Sequence, residues 1–257
     1  MALLEIRSLT KLFGGLTAIF ELDLDVHKRE IVGLIGPNGA GKSTALNMIG
    51  GVYLPTNGQI LLRGEDITSL SSHHRAARGI ARVFQDNLLF STFSVLENVL
   101  AGLHLRTNMG LRDILFGGHR AHHHDQVLIN KSLSILESLG IASEKDELAM
   151  NLPHGKQRIL SLAIALAPGP RLLLLDEPIT GMNAKEVETM LAMIRALRDE
   201  KGITCIIIEH NLRAVMGLCD RIAVLNFGKK IAEGTSSEIV ENPAVMEAYL
   251  GTEENVT

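Results

Sequence analysis

The sequence predicts an α/β fold with a mostly parallel sheet, and three observations carry that expectation. Short apolar runs of strand length alternate with stretches of helical pattern, as they do when strands are joined through helices. Several of these runs are apolar throughout instead of alternating, as strands covered on both faces require. The runs also close on glycine, or on acidic residues followed by proline, which is the chemistry that ends a strand.

Residues 3–27 and 59–63 do alternate, and read as antiparallel strands at one side of the fold. Ile31–Ile35 is a compact apolar run ending in Gly36; it reads as a buried strand feeding a turn, with residues 44–50 continuing as a helix. Residues 171–176 form a second buried strand, closed by Glu177-Pro178. Residues 204–209, rich in isoleucine, form a third. Residues 222–226 read as another strand, with Gly228 and the Lys229-Lys230 pair marking a hairpin. The stretch from about Asn87 to Pro153 is helix-like and includes a polar loop with Gly117-Gly118 and the run His122-His123-His124. The expected organisation is therefore an inserted helical subdomain over 87–153. The core, 1–86 and 154–257, carries a β subdomain and a C-terminal extension.

At 257 residues and 46% hydrophobic, the chain can bury a core for one large domain, or for one domain with a subdomain. The net charge of −4, with no basic tail or polybasic stretch, argues against a nucleic-acid partner. Cys205 and Cys219 form neither a C-x-x-C pair nor a disulfide framework, and read as inert thiols in a reducing compartment. The first ten residues lack the basic start and apolar stretch of a secretory signal. No apolar run approaches the ~18 residues that a membrane span needs, so a soluble chain is expected whose membrane role comes through a partner. The histidine run, with His119, offers imidazoles to a metal. Adjacent histidines in a loop cannot all face one ion, however, and no Cys or Asp/Glu spacing completes a site.

Residues Gly36-Pro37-Asn38-Gly39-Ala40-Gly41-Lys42-Ser43-Thr44 fit G-x-x-x-x-G-K-[ST] between a predicted strand and a predicted helix. That context separates the motif from a glycine-rich turn that merely contains Lys-Ser. Gly39 and Gly41 let the backbone bend and come close, so that successive N–H groups point at phosphates, reinforced by the helix N-terminus. Lys42 places a compact positive charge on the β- and γ-phosphates of ATP, and Ser43 offers a hydroxyl to Mg²⁺.

Four leucines precede Asp176, so a buried strand delivers that carboxylate to its C-terminal tip, where open α/β sheets bind ligands. Asp176 is the candidate carboxylate for Mg²⁺, held directly or through water. The adjacent Glu177 is the candidate that polarises and orients the water attacking the γ-phosphate.

With both motifs in place, the chain resembles an ABC transporter ATPase over nearly its whole length. The resemblance implies a P-loop NTPase core of the ABC type, with a mostly parallel sheet, an antiparallel β edge and an inserted helical subdomain. It implies ATP and Mg²⁺ as cofactors. Gln85, in Val83-Phe84-Gln85-Asp86, resembles the Q-loop glutamine that touches Mg²⁺ and the water and links the site to the helical subdomain. His210, after the isoleucine-rich strand, resembles the switch histidine at the γ-phosphate. Phe13, in Lys11-Leu12-Phe13-Gly14-Gly15, resembles the aromatic that stacks on adenine.

The signature motif departs from the family's L-S-G-G-Q. Leu152-Pro153-His154-Gly155-Lys156-Gln157 stands in its place, ahead of a helix expected from Arg158. Pro153 has no hydroxyl and no N–H to donate. Gly155 and Gln157 remain, and the following helix can still aim its N-terminal dipole at a phosphate on a partner subunit. Thr180-Gly181-Met182-Asn183 stands where many relatives carry an aspartate, and Asn183 lacks that charge. These departures resemble the ATP-binding subunits of branched-chain amino acid importers, in particular the longer of the two. So do Lys11–Gly15, residues 226–234, Glu241-Asn242-Pro243 and residues 247–251.

The resemblance implies a cytoplasmic subunit, peripheral on the inner face of the cell membrane. It would pair with a second ABC ATPase, a copy of itself or, as the altered signature favours, a different chain. It would dock on integral membrane permease subunits and be served indirectly by an extracytoplasmic solute-binding protein. The alternatives are the ATPase of a lipid or lipopolysaccharide export system, and a soluble nucleotide-gated ABC protein.

Overall fold

The computed structural model describes residues 2–84, 88–104 and 118–250. The chain divides into two compact units. One comprises Met1–Arg82, Arg171–Glu177 and Ile194–Thr257, the other Val83–Pro170 and Pro178–Met193.

The first unit holds two sheets. Strands β1 (Ala2–Phe13), β2 (Leu16–His27), β4 (Asn57–Leu62) and β5 (Glu65–Asp66) form an antiparallel sheet in the order β2-β1-β4-β5. This is the antiparallel edge expected from the alternating pattern. The second sheet has the order β10-β9-β3-β8-β7-β6. It is built from β3 (Ile31–Ile35), β6 (Ile80–Val83), β7 (Leu172–Asp176), β8 (Thr204–Ile208), β9 (Arg221–Asn226) and β10 (Lys229–Gly234). β7, β8, β3 and β9 run parallel, and β10 returns antiparallel through the hairpin at Gly228.

Every residue of β3, β7 and β8 is buried, which is why these strands read as unbroken apolar runs. The two-residue period sorts their side chains onto two faces. Val32 and Leu34 of β3, with Ala223 and Leu225 of β9, join a core shared with the antiparallel sheet and with α1 (Lys42–Ile49). Ile35, Ile222 and Val224 point the other way. There they meet Val215 of α7 (Leu212–Leu218), Ile239 of α8 (Ser236–Val240) and Val245 of α9 (Pro243–Leu250). Burial of about 25 cal/mol per Å² of apolar surface on both faces makes this central sheet the rigid base of the unit. Cys205 is buried and Cys219 half-buried; burial pushes the Cys205 thiol up to about 12 and raises Cys219 as well, as inert thiols require.

A short helix α2 (Ser72–Ala77) carries Arg75, which is wholly buried. Its guanidinium donates to the carbonyls of Met48 and Ile49 at the end of α1, and to those of Leu70 and Thr68. A fixed cation thus satisfies the C-terminal carbonyls of the helix that begins at the phosphate loop.

The second unit is helical, with α3 (Val95–His104), α4 (Gly118–Ser138), α5 (His154–Leu166) and the first part of α6 (Ala184–Asp199). α3 packs against α4 and α5, and backbone approach is close at Gly102, where a Cβ would stand 2.9 Å from the Ile164 carbonyl. This packing places α5 in the helical unit, so that unit reaches further along the chain than residues 87–153.

Two local expectations are corrected here. His122-His123-His124 lie within helix α4, not in a polar loop. No glycine or proline interrupts the chain between His119 and Ser138, and histidine is a tolerable helix residue, so polarity alone did not mark a break. Gly117 lies outside the described residues. The helix after the signature starts at His154, not at Arg158. Pro153, with an extended ψ of 150°, is its N-cap, and its carbonyl accepts the Gln157 N–H at 3.0 Å.

Candidate functional site

Strand β3 hands the chain to Gly36, and two glycines of the loop that follows have no substitute. A Cβ on Gly36, at φ +147°, would lie 2.0 Å from the Leu225 carbonyl oxygen. One on Gly41, at φ +100°, would lie 2.5 Å from that of Ala18. The loop is therefore wedged between β2 and β9, and α1 starts at Lys42, directly from Gly41. Lys42 is buried, and its Nζ donates to the carbonyls of Gly36 (2.7 Å) and Pro37 (3.0 Å), curling over the loop. Burial lowers its pKa, while the nearby carboxylates of Glu177 and Asp176 oppose that shift. Ser43, one residue on, is exposed on the first turn.

Asp176 ends β7 as expected. Its Oδ2 accepts from Arg82 Nη2 at 2.6 Å in a pair whose side chains are only 10% and 7% exposed. Arg82 Nη1 also reaches Asn47 Oδ1 of α1 at 2.6 Å. Asp176 Oδ1 is buried and has no hydrogen-bond partner among the described residues. A buried carboxylate oxygen with no donor fits a cation or a cation-bound water, so the donor set here suits a divalent metal.

Glu177 turns sharply out of the strand. Its φ of +49° is left-handed, a conformation costing about 1–3 kcal/mol in a non-glycine residue and concentrated at functional sites. Its N–H donates to the Ile208 carbonyl at 2.9 Å, tying the tips of β7 and β8. Two residues beyond Ile208, His210 Nε2 lies 2.9 Å from Glu177 Oε1. The histidine is half exposed and the glutamate 12% exposed, so the pair stands at the rim of the buried strand ends. Lys42, Asp176, Glu177 and His210 are thus gathered where α1, β7 and β8 meet.

Phe13 stands at the end of β1, paired with Leu16 across the hairpin that leads into β2. It is 41% exposed and forms an edge-to-face pair with Tyr53, with centroids 5.3 Å apart, while Lys11 Nζ lies 4.9 Å from its ring centre. Ala18 and Ile19 of the same hairpin abut Gly41, so the aromatic pair is carried by the strand that packs on the phosphate loop.

In the helical unit, the first turn of α5 brings the signature residues against the loop before α6. A Cβ on Gly181 would stand 3.0 Å from the His154 ring, and one on Gly155 2.4 Å from Glu186 Oε1. Lys156 pairs with Glu144, and Gln157 Nε2 donates to the Leu152 carbonyl at 3.0 Å. Gln85 lies outside the described residues. Sequence reasoning missed Arg82, Asn47 and Tyr53. A charge in a short strand and an exposed tyrosine carry no motif, and only the fold brings them to the site.

A family model described as ABC transporter matches residues 19–180, and one described as branched-chain amino acid ATP-binding cassette transporter matches residues 229–255. The chain is 38% identical to the high-affinity branched-chain amino acid transport ATP-binding protein BraF of Pseudomonas aeruginosa, and 39% to LivG of Escherichia coli K12. Each alignment covers 97% of this chain and 98% of the relative. The lipopolysaccharide export system ATP-binding protein LptB of Haemophilus influenzae is 33% identical over 98% of both chains. Among solved structures, the ADP conformation of an ATP-binding cassette of an ABC transporter superposes with a TM-score of 0.85. It is 30% identical and covers 98% of this chain and 99% of its own. This chain belongs to the ABC transporter family of ATP-binding proteins, and it is an ATPase subunit of that family.

Proposed function

We propose that this chain hydrolyses ATP to power an importer of branched-chain amino acids. The observation that carries the chemistry is the 2.9 Å contact between His210 and Glu177, set beside the buried Asp176 and Lys42. Residues Gly36 to Thr44 cradle the phosphates with backbone N–H groups, and Lys42 swings from the loop carbonyls to the β- and γ-phosphates. Phe13 stacks on the adenine. Asp176, Ser43 and Gln85 would hold Mg²⁺, directly or through water, and the ion would neutralise phosphate charge. Glu177 orients and polarises the attacking water, and His210 fixes the Glu177 carboxylate while facing the γ-phosphate. Pro153, His154, Gly155, Lys156 and Gln157, at the start of α5, complete the site of a second ABC ATPase subunit.

The solute assignment rests on the match of residues 229–255 and on the relatives named for branched-chain amino acid transport. No helix among the described residues is long and apolar enough to cross a membrane. The relatives named for transport support the reading that this subunit docks on the cytoplasmic face of a separate permease. An exposed apolar patch of the helical unit supports that docking. Phe90 and Phe93 stack at 5.1 Å, flanked by exposed Leu88 and Met150. Buried Asn98 braces the patch by bonding to the Phe90 N–H and carbonyl.

The test is ATPase turnover of the wild type and Glu177→Gln, each alone and mixed with the ATPase encoded beside it, followed by leucine uptake in vesicles carrying the permeases. Turnover that rises on mixing and collapses with Glu177→Gln, with leucine uptake, is expected. Turnover indifferent to Glu177→Gln removes Glu177 as the base. Turnover without uptake favours the export reading that the similarity to LptB leaves as second choice.

A further inference from the structure

We propose that Tyr249 is a positioning residue whose hydroxyl fixes the entrance of the phosphate loop when Lys42 leaves that entrance for the nucleotide. The inference rests on the reading of Lys42 as the cation that binds phosphate. Tyr249 lies on α9, and the start of that helix is set by local chemistry. Asn242 Oδ1 accepts the N–H groups of Ala244 at 3.0 Å and Val245 at 3.4 Å, and Pro243 opens the first turn. Val245, Ala248 and Tyr249 then share one face of the helix. Val245 and Ala248 are buried, and Tyr249 is half-buried. Val245 joins the core that contains Ile35, the last residue of β3, and Tyr249 packs against that core. From there the Tyr249 hydroxyl hydrogen-bonds the backbone of Gly36. Burial raises the phenol's pKa and this bond opposes the rise, as a donor to the phenol oxygen does. The Gly36 N–H is therefore the donor.

Gly36 is thus held from three directions. Lys42 Nζ donates to its carbonyl at 2.7 Å, the Leu225 carbonyl closes the space beside its Cα, and Tyr249 takes its N–H. Nucleotide binding does not leave the three holds equal. Lys42 serves the Gly36 carbonyl only while it is not on phosphate. Once the ammonium turns to the β- and γ-phosphates, the carbonyl loses that donor and the Tyr249 hydroxyl still grips the same residue. The phenol therefore matters more to the occupied loop than to the empty one. It keeps the loop in the conformers that receive phosphate, and affinity rises with the fraction of molecules so held. A tyrosine that served packing alone would stabilise the fold and leave nucleotide affinity unchanged.

The experiment compares the full chain with its Tyr249→Phe variant, which keeps the ring in the core and deletes the hydroxyl. ADP with Mg²⁺ is titrated calorimetrically, ATPase turnover is measured with the ATPase encoded beside it, and urea unfolding is followed by circular dichroism. Tyr249→Phe should bind ADP roughly threefold to tenfold more weakly, the range for one neutral hydrogen bond. The KM for ATP should rise by a similar factor, with kcat within about twofold of the wild type. Wild-type ADP affinity in Tyr249→Phe overturns the proposal. A lower kcat at unchanged KM, with an earlier urea midpoint, also overturns it, because a packing defect removes active molecules without changing the affinity of the rest. If Tyr249→Phe does not fold, the wild type decides. Coupling between two sites is reciprocal, so saturating ADP should slow amide exchange over residues 244–249. Exchange there that is indifferent to ADP overturns the inference. A wild-type chain that binds no ADP overturns the nucleotide reading itself, which separates that failure from the failure of Tyr249.

Discussion

Replacing Arg75 with methionine keeps the length of an unbranched stem and deletes every donor. In the structure those donors serve four carbonyls: Met48 and Ile49 at the end of α1, Leu70, and Thr68. Met48 keeps a second donor in the Gly51 N–H at 3.2 Å, so three carbonyls lose their main partner. A bond from a charged donor contributes about 1.5–3 kcal/mol, and the low end applies because water can re-enter near the surface loop. Against this stands the cost of burying the guanidinium. Burial lowers its pKa to about 10, which corresponds to about 3 kcal/mol, and methionine relieves that cost. The net loss expected is therefore about 1.5 kcal/mol. The chain has no tryptophan, so the measurement is equilibrium urea unfolding followed by far-ultraviolet circular dichroism. ADP affinity should fall in parallel, because α1 begins at the phosphate loop. A loss below about 1 kcal/mol would refute the view that this one side chain anchors the end of α1.

Three further outcomes are expected. Phe13→Ala should weaken ADP binding by about 1–3 kcal/mol, the range measured for base–aromatic stacking, and Tyr53→Ala should weaken it less, since Tyr53 supports Phe13 edge-on; calorimetric titration of both variants checks the order. Gly155→Ala should push Glu186 aside without unfolding the chain, because the built Cβ meets the far end of a flexible side chain; mixed-subunit ATPase assays should then lose activity while ADP affinity of the variant stays at the wild-type level. The Glu144 carboxyl is held below its ordinary value by hydrogen bonds from the Lys156 ammonium and the Ser143 hydroxyl. Its folded pKa is depressed, so its stabilising contribution is present above the unfolded value of about 4.5 and disappears as pH falls through the folded value. Unfolding temperatures of wild type and Glu144→Gln should therefore differ near neutrality and converge in acid.

The parallel core was legible because burial on both faces writes itself into sequence: β3, β7 and β8 are apolar at nearly every position, and nothing else in a soluble chain requires that. The antiparallel edge was legible for the complementary reason, since β1 and β2 expose one face and alternate. Lys42, Asp176, Glu177 and His210 could be named because each follows a strand tip in a recognisable order. The partners of those residues could not. Arg82 is an arginine in a four-residue strand whose target lies 94 positions away, and no periodicity encodes that contact. The start of α5 was misplaced for a different reason. Proline reads as a breaker, yet as an N-cap it opens a helix, and the two roles look alike until the next carbonyl bond is seen. The histidine run in α4 shows the reverse error, polarity taken for a loop where no breaker existed.

The two departures from the family pattern acquire a common physical account. Asn183 carries no charge, but a charge is not what its position uses here. Its Oδ1 accepts the N–H groups of Lys185 and Glu186, each at 3.1 Å, while its own N–H donates to Glu186 Oε2 at 2.9 Å. This reciprocal pair is the capping arrangement that satisfies the orphan donors opening α6, and asparagine performs it as well as aspartate. The other oxygen of the same Glu186 lies against Gly155, and the His154 ring lies against Gly181. The altered signature and the altered loop are therefore two sides of one contact within the helical unit, where the cap of α6 touches the first turn of α5. A change to either side is felt by the other before any nucleotide arrives. It follows that replacing Asn183 with aspartate should leave the cap intact and the signature undisturbed. Asn183→Ala, which removes the acceptor for two N–H groups, should loosen both at a cost of about 1 kcal/mol.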